Sequence, residues 1–161
     1  MDPVVETMTA HLKIGEGLFL KAMEGLNLEE LHRRAGPDSS SMIWVAGHLV
    51  ASRLVKLKLL GREPEMPDWG ELCARGSRVR APSECPDPEE IRSRWQDFSG
   101  LLTDALVRAP EELLSAESTR RFPVPDRSVR GGLAFLVWHE AYHVGQMGFI
   151  RKMLGHASLV G

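Results

Sequence analysis

His139, Glu140 and His143 stand together in the run HEAYH, late in a chain of 161 residues. Residues four apart share one face of a helix, so the two imidazoles can grip one ion. Read as a pattern, H-E-x-x-H is the helical zinc signature of metallopeptidases, in which the glutamate serves as general base. Two histidines do not finish a site. A third protein ligand is needed, and its identity decides the chemistry.

The peptidase reading fails to find that ligand. Zincins with a downstream histidine continue as H-E-x-x-H-x-x-G-x-x-H, but here Gln146 and Phe149 hold the glycine and histidine positions. No Asp or Glu follows Glu140, and His156 lies beyond Gly155, off the helix face. An HExxH metallopeptidase is therefore only a remote alternative. Upstream, the stretch SSSMIWVAGHLVAS places His48 on a helix face with Trp44, Ala51 and Val55, an apolar and core-directed stripe. His139 and His143 lie on a similar stripe with Leu136 and Ile150. Three imidazoles aimed into one interior need partners, because burying a polar group unpaired costs a few kcal/mol. One divalent metal satisfies all three. A three-histidine site with a position left open belongs to reactive rather than purely structural centres.

Four helices have to position these residues. The first is expected from about Val4 to Leu26, with Val5, Met8, Leu12, Phe19, Met23 and Leu26 at helical spacing. A second is capped by Ser39 to Ser41 and runs to about Leu60, where Gly61 stops it. A third starts on Asp87 as cap with Pro88 at the first position and ends before Pro110. The fourth runs from about Ser128 to Leu154, closed by Gly155. One short strand is expected at Arg121 to Val124. Helices of this length read as a single-domain four-helix bundle over residues 1–161, all-α. The connection from Gly61 to Pro86 is long enough to run the length of a helix, so helices 2 and 3 are expected to be parallel.

Composition sets the outer limits. A net charge of −2 and a pI near 6.3 exclude a basic nucleic-acid footprint. Gly131 to Ile150 is long and poor in charge, yet its histidines, glutamate and glutamine are costly in lipid, so a core helix is expected rather than a membrane span. The N-terminus has no signal-peptide pattern. Cys73 and Cys85 fit neither a zinc knuckle nor a disulfide framework, and read as two thiols of a cytoplasmic protein.

A W-x-x-x-H helix followed about ninety residues later by H-x-x-x-H-x-G-Q resembles the DinB-like superfamily of small metal-dependent enzymes. The pieces here are WVAGH at Trp44 to His48 and HEAYHVGQ at His139 to Gln146. The resemblance implies an up-down-down-up bundle holding a divalent ion (Zn, Ni or Fe) on His48, His139 and His143. It also implies chemistry: transfer of a low-molecular-weight thiol onto an electrophilic small molecule, the metal holding the thiol as nucleophilic thiolate. In that motif Glu140 falls at a variable position, which leaves it as a buried or interface carboxylate rather than a base. Gln146 reads as orienting a ligand or water, and Gly145 as admitting a close backbone, with helix packing the alternative for both. Arg120, Arg121, Arg127 and Arg130 either receive the carboxylates of the thiol or form a solvated edge, and the 61–86 connection either covers the site or simply spans the bundle. No catalytic side chain is assigned. The competing expectation is a non-catalytic metal-binding or stress-associated module, and a homodimer is compatible with either.

Overall fold

The computed structural model describes residues 2–73, 76–77 and 81–161; residues 74–75 and 78–80, part of the expected long connection, lie outside them. Among the described residues six α-helices follow in order: α1 Pro3–Met23, α2 Leu28–His32, α3 Met42–Leu59, α4 Pro88–Val107, α5 Glu111–Ser115 and α6 Val129–Met153. Short 3-10 turns stand at Gly70–Cys73 and Pro82–Glu84. Among the described residues the fold is all-helical, and none of its helices is long and apolar enough to cross a membrane.

The ends of the long helices follow from their caps. The Asp2 carboxylate accepts from the Val4 N–H, Ser41 from Trp44, Asp87 from Glu89 and Glu90, and Ser128 from Gly131. Gly61 and Gly155 close α3 and α6 at φ +70° and +88°, backbone that only glycine adopts without strain. Two expectations need correcting. The first helix stops at Met23 rather than Leu26, because Gly25 turns at φ +74° and Asn27 opens α2 with a reciprocal capping box to Glu30. Arg121–Val124 forms no strand. Pro123 and Pro125 remove the N–H groups a ladder would use, and what forms nearby is an isolated bridge between Glu117 and Ser128.

Helix α1 packs against α4 and α6, and α3 packs against the same two, so the apolar faces of the four long helices share one core. Phe19, Met23, Ile43, Leu49, Leu57, Ile91, Trp95 and Met147 lie at its centre, each fully or almost fully buried. Helix α3 is so enclosed that even Arg53 and Lys56 are at 1% and 0% exposure. Their partner is Glu140 of α6, itself at 1%. Its carboxylate accepts from Arg53 Nη2 at 2.7 Å and Nε at 3.3 Å, and from Lys56 Nζ at 2.9 Å.

The same guanidinium reaches two further helices. It donates to Ser99 of α4 and to the Leu12 carbonyl of α1 at 3.2 Å, and it lies 3.5 Å from the centre of the Trp95 ring, which stacks on Phe19 of α1. Gly15 makes room for the acid, since a Cβ there would stand 2.9 Å from Glu140 Oε1. Burial alone would raise the Glu140 carboxyl, but the charges of Lys56 and Arg53 and their hydrogen bonds outweigh it and hold the group below the usual carboxylate range. Burial pushes the Lys56 ammonium down, against the pull of Glu140.

A buried ion cluster adds little to stability as a whole, but removing one member leaves uncompensated charge in the core. Glu140→Gln is expected to destabilise the protein by about 3–5 kcal/mol, a fall in melting midpoint on the order of 10 °C. Thermal unfolding at pH 7 checks this, and a variant with the parental midpoint would show that the cluster does not hold the helices together.

Candidate metal centre

Helix α3 delivers His48 and helix α6 delivers His139 and His143, one turn apart, to the same end of the core. His48 is buried at 8% exposure, and the other two are half-buried. The ligand nitrogens of all three lie within 4.8 Å of one another. His139 Nε2 stands 3.4 Å from His48 Nε2 and 3.0 Å from His143 Nε2. For Zn–N distances of about 2.1 Å, two ligand nitrogens are separated by roughly 3.0 Å at a right angle and 3.4 Å at the tetrahedral angle. The observed spacing fits ligands to one ion.

The second ring nitrogens set the tautomers. His48 Nδ1 lies 2.9 Å from the Cys73 carbonyl, which can only accept, so the proton sits on Nδ1 and Nε2 presents a bare lone pair. His143 Nδ1 is 2.6 Å from Gln146 Oε1, with the same consequence. Two lone pairs therefore point at His139 Nε2. Neutral His139 has one proton to offer them, and its buried Nδ1 has no hydrogen-bond partner. A proton on Nε2 leaves Nδ1 unsatisfied, and a proton on Nδ1 brings three lone pairs face to face. A cation at the centre resolves the conflict at Nε2 for all three rings.

The electrostatics keep these rings unprotonated. Burial pushes His139 down to about 4, with His143, His48 and Lys56 adding repulsion. Burial also lowers His48 and His143, although the Cys73 carbonyl and Gln146 respectively oppose it. Neutral imidazoles are the form a metal requires.

Aromatic rings surround the trio. Trp44 stacks on His48 at 5.1 Å and 5°, Tyr142 meets His143 edge-on at 5.1 Å, and Phe135 flanks His139 at 6.2 Å and touches Phe122 of the preceding loop. Trp138 and Tyr142 remain more than half exposed.

The other candidates fall into place around this centre. Gln146 touches His143, as its position suggested, and Glu140 is the buried carboxylate expected, now with named partners. A Cβ at Gly145 would meet nothing, so no close backbone explains that glycine. Arg130 is engaged by Asp2 at 2.9 Å and Glu111 at 2.5 Å, whereas Arg120, Arg121 and Arg127 are exposed. Cys73 is buried with its thiol pushed up to about 12 by burial, so it is no nucleophile at neutral pH. His156 pairs with Glu30 at 2.8 Å, away from the trio. An apolar groove of about 880 Å³ between α1 and α6, lined by Val4, Leu12, Leu18, Val137 and Val144, does not include the histidines of the trio.

Sequence reasoning missed Arg53 and Lys56, and it missed the Cys73 carbonyl. The first two left a signal: two cations three residues apart in a largely apolar helix that also carries Lys58, matched by one acid in the low-charge run of α6. A backbone carbonyl leaves none.

A family model described as the DinB superfamily matches residues 11–147. A crystal structure described as the conserved protein of locus from Enterococcus faecalis is similar in fold, with a TM-score of 0.72 at 15% identity, over 95% of this chain and 98% of that one. At that identity the likeness concerns the fold alone. No curated protein matches.

Each histidine is expected to be needed for metal retention. Single changes of His48, His139 or His143 to Ala should remove most of the roughly one divalent ion per chain expected of a single trio, read by elemental analysis. Full occupancy in His48→Ala would dismiss the trio as the site. The metal-free protein should also be acid-sensitive. Depressed histidines bind protons more readily unfolded than folded, so the stability they contribute is present above the unfolded value near 6.5 and falls as the pH drops towards the folded value, about 4 for His139. Denaturant midpoints across that window check the sign.

Proposed function

The chain belongs to the DinB superfamily, and on that premise we propose that it is a metal-dependent transferase, moving a low-molecular-weight thiol onto an electrophilic carbon. The observation that carries this reading is the trio itself: three neutral imidazoles converge at Nε2, and among the described residues no fourth His, Cys, Asp or Glu joins the cluster. Three protein ligands leave room for an exogenous one. A divalent ion there (Zn²⁺, Ni²⁺ or Fe²⁺, all suited to imidazole) would supply Lewis acidity and lower the pKa of an incoming thiol.

The chain's own residues do the rest. His48, His139 and His143 would hold the ion, with Cys73 O and Gln146 Oε1 fixing two of the rings through their Nδ1 atoms. Phe135, Trp138 and Tyr142 offer aromatic surface beside the trio for a small electrophile. No side chain at the site is a ready nucleophile, in keeping with a nucleophile that arrives as cosubstrate.

The peptidase alternative has nothing to stand on. Glu140 is enclosed and shared between Arg53 and Lys56, so it cannot take a proton from a water at the metal.

Several finer features belong to the same proposal: one domain over residues 1–161, the four long helices in up-down-down-up order, a cytoplasmic location, no nucleic-acid partner, and a homodimer as a compatible assembly. Arg130 beside Asp2 and Arg151 on the Ala22 carbonyl run α6 the same way as α1, and Arg92 on the Met23 carbonyl runs α4 the opposite way, which supports the helix order. The net charge of −2 supports the absence of nucleic acid.

Metal-loaded protein incubated with bacillithiol, mycothiol or glutathione and a panel of alkylating electrophiles should consume at least one thiol above background, and chelation should abolish the excess. Background rates throughout, with metal confirmed present, would replace this reading with the non-catalytic metal-binding module.

A further inference from the structure

Gly47 sits in the interior of α3, one residue before His48, where glycine costs roughly 1 kcal/mol against alanine. Its φ is not in the positive range, so no backbone strain calls for it. Space does. A Cβ at Gly47 would stand 2.4 Å from Cys73 Sγ, 3.1 Å from Cys73 Cβ and 3.5 Å from the Trp69 ring. The Gly70–Cys73 turn thus presses against α3 where a side chain is missing, and from there the Cys73 carbonyl reaches His48 Nδ1 at 2.9 Å. Trp44, on the same helix face, stacks on His48 and donates from Nε1 to Ser77 Oγ at 3.0 Å. Trp44, Gly47 and His48 all meet one connection.

We propose that Gly47 and the Gly70–Cys73 turn are positioning elements for His48: the niche lets the turn seat, and the seated carbonyl keeps the imidazole proton on Nδ1 and Nε2 bare for the metal. This rests on the three-histidine metal reading above. The role of Cys73 is one of shape, its side chain filling the niche and its backbone orienting the ring. With the turn displaced, the proton is free to occupy Nε2, and the ring is free to swing away from His139. Outer partners of this kind are worth about 10–100-fold in metal affinity.

The test compares the full chain with Gly47→Ala, Cys73→Ala and the double variant. Zinc affinity is read by competition with a chromophoric chelator, and the His48 ring ¹⁵N shifts are read in the metal-free proteins at a pH above the histidine range. Gly47→Ala should bind zinc about 10–100-fold more weakly and lose the Nδ1-protonated signature. Cys73→Ala keeps its carbonyl and should stay near the parent. In the double variant the missing Sγ vacates the niche, so most of the affinity and the signature should return. Parental affinity in Gly47→Ala would overturn the proposal, as would equal losses in the single and double variants. A His48 protonated on Nε2 in the unmutated, metal-free protein would overturn it without any variant. Failure of the unmutated protein to hold zinc would take down the metal reading and this one together, and is seen before any variant is compared.

Discussion

Three helices' worth of geometry hangs on one carboxylate. Glu140 is the acid that faces Arg53 and Lys56 in a core built mainly of aliphatic and aromatic side chains. Ion pairs at this depth are demanding about direction as well as distance, because each charge has given up its water. A slide of α6 along α3 by one turn would displace Glu140 by about 5.4 Å relative to its two cations. Aliphatic contacts tolerate such a slide far better than a charge does. Since Glu140 follows His139 directly, the register that satisfies the acid is also the register that brings His139 and His143 opposite His48. The buried ion cluster and the candidate metal centre are thus two readings of one alignment.

At the centre itself the same logic runs through hydrogen bonds instead of charges. His48 and His143 each spend their N–H on a fixed acceptor, and His139 alone lacks one. Three rings with their lone pairs converging are an uncomfortable arrangement for a protein without a cation and a comfortable one with it. The aromatic surfaces around them lower the local dielectric and limit how many ways the rings can turn.

Much of this was legible in the amino-acid order. Periodicity and caps located the four long helices to within a few residues, since Asp87–Pro88, Ser128 and Gly155 act locally and speak plainly. The histidine trio was legible for a related reason: polar rings on apolar stripes have to answer to one another. What escaped was whatever depended on chain segments meeting without a residue-type signature. The Cys73 carbonyl could belong to any residue, and α2 and α5, at five residues each, are too short to show a period. The strand expected at Arg121–Val124 was an error of a different sort, in which alternation outweighed the prolines at 123 and 125. Arg53 and Lys56 were visible as anomalies in an apolar helix, yet nothing local says which distant acid answers them. Glu140 lies 87 residues from Arg53.

That separation bears on the order in which the molecule can come into being. Chains are made from the N-terminus, and α6 is the last helix to emerge. Until it does, a nascent chain holds α1, α3 and α4 but lacks the Glu140 counter-ion for two cations destined for the core, as well as two of the three histidines of the trio. Native packing of the first three helices alone would leave Arg53 and Lys56 without that counter-ion, at a cost of several kcal/mol for each buried charge. Packing of the charged core and completion of the histidine trio both require the residues of α6.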